Sequence, residues 1–122
     1  MDRNQYRESL KQKMDNFIHA VYDLSKNFPQ EEKYGITSQL RRSAISVILN
    51  YVEGFARMKK LVQRNFLEIS YGSLKEAKYL IYFCFKEGYL NDVDYNKIMA
   101  AAEEIGAMLW TEIKSLSKIK VK

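Results

Sequence analysis

The feature that most constrains the fold is segment 28–57, FPQEEKYGITSQLRRSAISVILNYVEGFAR, which predicts one long, two-sided helix. It opens with the only proline of the chain and a glycine, Gly35, before the helical run begins. At about 100° per residue, the apolar side chains share one broad side: Ile36, Leu40, Ala44, Val47, Ile48, Tyr51 and Phe55. The polar side chains form an opposite stripe: Gln39, Arg42, Ser46, Asn50, Glu53 and Arg57. Such a helix buries its broad apolar face, which leaves the role of the polar stripe to be explained.

Three further segments show apolar residues at helical spacings of three and four. Together with the first segment, they predict helices over about residues 5–27, 36–57, 61–87 and 92–117. One proline and five glycines are too few for the many turns of an all-β fold. Four long amphipathic helices joined by short loops predict an all-α, antiparallel up-down four-helix bundle, formed as a single domain over residues 1–122.

Residues near the predicted helix ends support these boundaries. Asn4 or Asp2 can cap the first helix, because a short side-chain oxygen accepts a hydrogen bond from the free amides of the first turn. Gly88 is suited to end the third helix, and Asn91 or Asp92 to cap the fourth.

Packing between helices can also be predicted at some positions. Gly54 lies inside the second helix, where glycine costs roughly 1 kcal/mol relative to alanine. It indicates either the close approach of another backbone or an early helix end. The inner stripe of the third helix is predicted to comprise Phe66, Ile69, Ser70, Ser73, Leu74, Ala77, Leu80, Ile81 and Cys84.

Composition and charge limit the class of protein. The chain is 47% hydrophobic and 29% charged, which is typical of an ordered globular protein, and its net charge of +5 permits an anionic partner. No hydrophobic segment follows Met1, and the longest apolar run has seven residues, whereas about 20 are needed to cross a bilayer. We therefore expect a cytoplasmic protein without a secretory signal or a membrane partner.

Few residues are available for catalysis. His19 is the only histidine and Cys84 the only cysteine, so the chain lacks a disulfide framework, a zinc ligand set and the paired Glu-x-x-His motifs of a di-iron bundle. It also lacks a glycine-rich phosphate loop. We expect no catalytic residue, no metal and no cofactor, and therefore a protein that is not an enzyme.

The run YLIYFCF at residues 79–85 covers the whole circumference of the third helix. A helix of an isolated bundle buries one side only, so an apolar surface all round must be covered from elsewhere. Tyr79, Tyr82 and Phe83 are therefore predicted to form a subunit interface. The alternative is a scatter of surface aromatic residues, which is normal when they occur singly.

Two groups of cations are candidates for phosphate contacts. Arg41 and Arg42 lie in the first turns of the second helix, where the helix dipole disfavours cations; either a carboxylate such as Glu31 or Glu32 pairs with them, or an anionic partner does. The second group, at the junction of helices two and three, comprises Arg57, Lys59, Lys60 and Arg64. Arg57 also has an alternative partner, because Glu53 precedes it by four residues and can form an ion pair with it.

The second helix and the turn before it resemble the hallmark segment of the proteins encoded in intervening sequences of bacterial 23S rRNA genes, also called S23 ribosomal proteins. The family pattern is matched by Phe28, Pro29, Glu31, Glu32, Lys33, Tyr34, Gly35, Ile36, Gln39, Leu40, Arg41, Arg42, Ser43, Ser46, Asn50, Glu53, Gly54 and Arg57. Residues 71–77, YGSLKEA, are similar to the family's Gly-Ser-x-x-Glu block. Departures occur at Ile48, where the family often has proline, and at Leu49, where it has a small residue.

The resemblance implies a four-helix bundle that assembles into a ring-like homopentamer. Relatives of the family include the accessory variability determinant of diversity-generating retroelements, a basic pentamer that binds nucleic acid and associates with a reverse transcriptase. For members encoded in rRNA genes, the resemblance implies no firm biochemical activity.

These observations give two hypotheses. The first is a non-enzymatic, homo-oligomeric bundle that binds RNA or DNA through its clustered basic residues. The alternative is an oligomeric protein-interaction scaffold, such as an accessory of a reverse transcriptase, that does not bind nucleic acid directly. The polar stripe is expected to act first in packing between helices or subunits, through Gln39, Arg42, Asn50, Glu53 and Arg57, and second in phosphate contacts, through Arg41, Arg42 and Arg57. Gln39, Asn50, Glu53 and Gly54 belong to the family motif.

Overall fold

The computed structural model describes residues 1–117. It contains four α-helices and a short 3₁₀ turn, Gln30–Glu32, which follows Pro29. The helices are α1, Arg3–Ser25; α2, Ile36–Phe55; α3, Lys60–Lys86; and α4, Asp92–Ser117. The type and order of the four helices agree with the prediction, and their boundaries differ from it by no more than two residues.

The four helices form an up-down bundle in which each helix packs against two neighbours. Within residues 1–117, α1 contacts α2 and α4, and α3 contacts α2 and α4, while the diagonal pairs do not approach closely. Each helix contributes an apolar stripe to one central core. The largest fully buried side chains of this core are Tyr51, Phe17, Leu10, Met14, Leu40, Leu67, Leu74, Ile81, Ile105, Leu109, Val21 and Val47.

Side-chain and glycine caps fix the helix ends. Asp2, one of the two predicted caps, forms a capping box with Gln5, since its Oδ1 accepts from the Gln5 amide at 2.7 Å and the Gln5 side chain accepts from the Asp2 amide at 2.9 Å. Asn91 caps α4 through the amide of Asp94 at 2.8 Å. After α3, Gly88 has a φ of +81°, and the amide of the next residue reaches back to the Cys84 carbonyl, as in a Schellman motif.

One part of the predicted core is wrong. Ile69 was expected on the inner stripe of α3, but it is 45% exposed, whereas Leu67 is fully buried. The buried stripe of α3 faces α2 and α4 together, and Ile69 lies outside the arc that these two helices cover.

Gly54 lies where α2 and α3 come closest. A Cβ atom at this position would lie 2.7 Å from Leu67 Cδ1, 3.1 Å from Phe66 Cβ and 3.2 Å from the Gln63 carbonyl oxygen. These distances confirm the first interpretation of Gly54, close approach of another backbone, and the helix also ends one residue later, at Phe55. The chain turns into α3 within the next few residues.

We expect Gly54→Ala to destabilise the bundle. Alanine gains roughly 1 kcal/mol of helix propensity, but its methyl group overlaps a fully buried leucine and a backbone carbonyl, and overpacking of this kind costs about 1–3 kcal/mol. Gly72→Ala is the matched control, because Gly72 is exposed in α3 and nothing lies within 4 Å of the place that the added methyl group would take.

Urea denaturation followed by circular dichroism measures both effects. The expected order of unfolding free energy is Gly72→Ala above the parent protein and Gly54→Ala below it. A Gly54→Ala variant as stable as the Gly72→Ala variant would show that the two helices can move apart without cost.

Candidate nucleic-acid interface

The junction between α2 and α3 brings four of the predicted cations to one end of the bundle; we call Arg57, Lys59, Lys60 and Arg64 the basic junction. The turn is held by the buried side chain of Gln63, whose Nε2 donates to the Arg57 carbonyl at 2.6 Å. A second hydrogen bond joins the Arg57 amide to the Gly54 carbonyl at 3.1 Å. The local fold therefore keeps the connection short and its lysines on the surface.

Two cations of the basic junction carry their own counter-charges. Arg57 forms an ion pair with Glu53, as expected from their spacing, and its guanidinium lies 5.1 Å from the Phe66 ring centroid. Arg64 Nε lies 3.1 Å from Glu68 Oε1.

Lys59 and Lys60 differ from the two arginines of the basic junction. Both are exposed, and within residues 1–117 neither lies within 4 Å of a carboxylate. Within the basic junction, Lys59 and Lys60 are the two cations that are open to an external anion.

Arg41 and Arg42 lie toward the opposite end of α2. Fifteen residues separate Arg42 from Arg57, which corresponds to roughly 22 Å along a helix. The structure therefore does not unite the six predicted cations in one site.

Arg41 contacts the last turns of α1. Its Nε donates to Ser25 Oγ at 2.8 Å, and a terminal nitrogen donates to the Tyr22 carbonyl at 3.4 Å. The guanidinium carbon also lies 4.6 Å from the Tyr22 ring centroid. Arg41 thus adds a hydrogen bond to a carbonyl group near the C-terminus of α1, where a cation is favourable.

Within residues 1–117, neither Arg41 nor Arg42 forms an ion pair, so the predicted pairing with Glu31 or Glu32 is absent there. Arg42 is exposed and lines a polar groove together with Gln39 and Glu76. Of the two arginines, Arg42 has the more exposed side chain.

The predicted interface residues lie on the surface of α3. Tyr79 is 63% exposed, Tyr82 44% and Phe83 39%, and the two tyrosine rings lie 6.4 Å apart. The rest of the bundle therefore does not cover this group, which we call the aromatic patch. Other large apolar side chains of α2 and α3 are also exposed: Leu49, Val52, Leu61, Val62 and Ile69.

The middle of the polar stripe packs against α3. The hydroxyl groups of Ser46 and Ser73 lie 2.9 Å apart, which joins the two helices. Asn50 Nδ2 donates to the Ser46 carbonyl at 2.9 Å and to its hydroxyl oxygen at 2.8 Å. In this part of the stripe, the polar residues hold helices together.

Sequence reasoning missed a partly buried polar network between three helices. The Tyr51 hydroxyl on α2 donates to Glu112 on α4, and Arg7 Nε on α1 lies 3.6 Å from the other Glu112 oxygen. The Arg7 guanidinium also lies 3.9 Å from the Phe55 ring centroid. The signal that could have found it is Tyr51 itself, because a tyrosine on a buried face needs a partner for its hydroxyl.

Burial dominates the ionisation of this network. It raises the pKa of Glu112 above its ordinary value, although the hydrogen bond from Tyr51 and the charge of Arg7 act in the opposite direction. Burial and the hydrogen bond to Glu112 both raise the pKa of Tyr51. The phenol is therefore neutral at physiological pH and serves as a donor.

We expect Glu112 to make stability depend on pH in a defined direction. Because its pKa is raised by folding, the folded state binds the proton more tightly, and the resulting stabilisation is present at low pH and lost as pH rises through the folded pKa. The difference in unfolding free energy between the parent protein and Glu112→Gln should therefore fall as pH rises above 4.5, by at most about 1.4 kcal/mol per pH unit. Urea titrations from pH 4 to 8 measure this difference, and a difference that rises with pH would contradict it.

The cysteine and the histidine offer no catalytic pair. Cys84 is fully buried, and burial raises the pKa of its thiol to about 12, which suppresses the thiolate. His19 is exposed on α1, with Nε2 3.6 Å from Asp15 Oδ1. Residues 1–117 contain no group of three or more His, Cys, Asp or Glu side chains placed to hold a metal ion.

Comparisons with known proteins agree with the four-helix fold. The sequence profile of the 23S rRNA-intervening sequence protein family matches residues 8–111. The chain belongs to this family. The match covers parts or all of all four helices, including the whole hallmark segment of α2, so the resemblance seen in the sequence is confirmed.

A solved structure shares the fold. It is a protein of unknown function from the S23 ribosomal protein family of Bacteroides thetaiotaomicron, with 24% sequence identity and a TM-score of 0.82 over 89% of this chain and 98% of that chain. A search of curated proteins found no match. None of the helices in residues 1–117 has the length and hydropathy needed to cross a bilayer.

Proposed function

We propose that this member of the 23S rRNA-intervening sequence family is a non-enzymatic, cytoplasmic homo-oligomer that binds RNA or DNA through the basic junction. One observation carries the proposal. Lys59 and Lys60 are exposed beside Arg57 and Arg64, and neither lysine has a carboxylate within 4 Å among residues 1–117.

The basic junction suits a phosphate backbone more than a particular base sequence. Lysine ammonium groups are point charges that contact phosphate oxygens without reading bases. Lys59 also occupies the N-cap position of α3 and forms no side-chain hydrogen bond to the first turn. The positive end of the helix dipole therefore adds to the positive potential of the basic junction. Binding of this kind releases counterions and weakens as salt concentration rises.

Oligomerisation would strengthen such contacts. A second copy that covers the aromatic patch would bury Tyr79, Tyr82 and Phe83, each of which is more than one-third exposed in the single chain. Repeating the basic junction around a ring would link several weak phosphate sites, and linked sites gain avidity without new contacts. The homopentamer is the assembly that the family resemblance implies.

We expect the double variant Lys59→Gln, Lys60→Gln to bind nucleic acid more weakly than the parent protein. Each lost phosphate contact should also reduce the slope of log affinity against log salt concentration by about one. Fluorescence anisotropy with generic RNA and DNA at two salt concentrations measures both quantities. The double variant Lys86→Gln, Lys97→Gln, which removes two exposed lysines at the opposite end of the bundle, is the matched control.

The titration also tests the proposal as a whole. If the parent protein bound neither nucleic acid at low salt, or bound with an affinity that ignored salt, binding through the basic junction would have to be abandoned.

We expect light scattering to give a mass several times 14.4 kDa for the full chain. Phe83→Glu should lower this mass, because a charge in the aromatic patch would be desolvated at a subunit contact. Met58→Glu, at a 95% exposed residue of the α2–α3 connection, should leave it unchanged. A monomeric parent protein, or equal masses for the two variants, would refute the interface at the aromatic patch.

The ion pairs of the basic junction favour a second candidate function. Since Glu53 and Glu68 already neutralise Arg57 and Arg64, the field at this end is weaker than the sequence suggests. In an oligomeric scaffold for a protein partner, such as a reverse transcriptase, the aromatic patch would remain the subunit interface and the basic residues would be ordinary surface. It predicts a stable oligomer together with no nucleic-acid binding at low salt.

A further inference from the structure

A small cavity beside the first turn of α2, at the other end of this helix from the basic junction, has the character of an anion site. It lies between the last turn of α1, the turn Gln30–Glu32 and the start of α2, and has a volume of about 170 Å³. This is several times the roughly 30 Å³ that one water molecule occupies in the liquid. Its polar lining includes Ser25, Lys26, Lys33, Thr37 and Arg41.

The hydroxyl group of Thr37 is the unexplained feature of this cavity. Thr37 is only 6% exposed, yet its Oγ1 is buried without a hydrogen-bond partner among residues 1–117. An unpaired buried polar group carries a desolvation cost, so natural proteins rarely retain one without a reason. A ligand in the cavity would supply the missing partner.

The start of α2 adds further free donors. Gly35 occupies the N-cap position and offers no side-chain cap. Within residues 1–117, the backbone amides of Ile36, Thr37 and Ser38 have no backbone acceptor. Of these three residues, Thr37 lines the cavity, whereas Ser38 lines the polar groove beside Arg42. The dipole of a 20-residue helix favours an anion at this end.

The charged lining residues of the cavity are all cations. Arg41 uses two of its nitrogens for α1, which leaves further N–H donors of its guanidinium available. Lys33 Nζ lies 5.5 Å from the Tyr34 ring centroid, and Lys26 Nζ lies 3.4 Å from Asp23 Oδ1, outside the lining. The site therefore combines positive charge with hydrogen-bond donors on several sides.

We propose that this cavity binds a phosphate group, with the Thr37 hydroxyl as a hydrogen-bond donor and Arg41 and Lys33 as the balancing charges. A phosphate group has three or four oxygens that can accept from donors on different sides, as the lining requires. The site lies at the other end of α2 from the basic junction, so it stands independently of the proposed nucleic-acid binding. Inorganic phosphate and the terminal phosphate of a polynucleotide share this chemistry.

Isothermal titration calorimetry of the full chain with inorganic phosphate, at constant ionic strength, tests the site. We expect saturable binding of one phosphate per chain. Thr37→Val, which keeps the shape and removes the hydroxyl, should weaken binding by roughly tenfold to a hundredfold. Thr37→Ser should restore it, Lys33→Gln should weaken it, and Lys114→Gln should leave it unchanged.

A thermal melt without phosphate separates binding from folding. Thr37→Val should melt at the same temperature as the parent protein or higher, because it removes an unpaired buried hydroxyl. Absence of saturable binding in the parent protein, or equal affinity in a folded Thr37→Val variant, would overturn the proposal.

A competition experiment then assigns the source of the phosphate. Oligonucleotides with a 5′-phosphate and with a 5′-hydroxyl group are titrated against protein saturated with inorganic phosphate. Displacement by the phosphorylated form alone would support the site and identify a polynucleotide end as its ligand. Displacement by neither would support the site and identify free phosphate. Equal displacement by both would overturn it, because the cavity would then not recognise a terminal phosphate.

Discussion

The close contact between α2 and α3 is the constraint on which the rest of the bundle depends. Gly54 supplies the space, since no Cβ separates the helix from Gln63 and Leu67. Short side chains continue the contact along the pair: Ser70 Oγ donates to the Val47 carbonyl at 2.6 Å in the core, and Ser46 meets Ser73 nearer the surface. Small residues let helix axes approach, and hydrogen bonds between them fix the register.

Because α2 packs against α3 along its middle, the candidate ligand sites of this helix lie at its two ends. The middle of the α2 polar stripe stabilises the fold, because Asn50 donates to Ser46 and the Ser46 hydroxyl hydrogen-bonds to Ser73 of α3. The basic junction follows the last turn of α2, and the proposed phosphate cavity lies beside its first turn. Each end presents cations next to the N-terminus of a helix, α3 in one case and α2 in the other.

Much of the fold could be predicted because it depends on local patterns. Apolar spacing located all four helices, and short-range chemistry located their ends, as at Asp2, Gly88 and Asn91. Gly54 was interpretable because glycine inside a helix has few reasons to occur. The error at Ile69 arose because spacing gives the direction of a face but not the width of the arc that the neighbours cover.

The candidate sites were harder to predict because their determinants are far apart in the chain. Tyr51 and Glu112 are 61 residues apart, and Arg41 finds its partners 16 and 19 residues earlier, so no local pattern relates them. The sequence made all six cations candidates for phosphate contacts, whereas the structure distinguishes them by their partners. The orphan hydroxyl of Thr37 could not be recognised at all without the burial around it.

The arrangement of neighbours in the bundle also bears on how the chain reaches its fold. Three of the four helix pairs, α1 with α2, α2 with α3, and α3 with α4, join segments that are consecutive in sequence. Only the contact of α1 with α4 closes a long loop within residues 1–117. Helical domains dominated by local contacts fold on the order of microseconds to milliseconds. The α2–α3 hairpin can therefore form before α1 and α4 come together. The docking of α1 onto α4 is the step with the larger cost in loop-closure entropy.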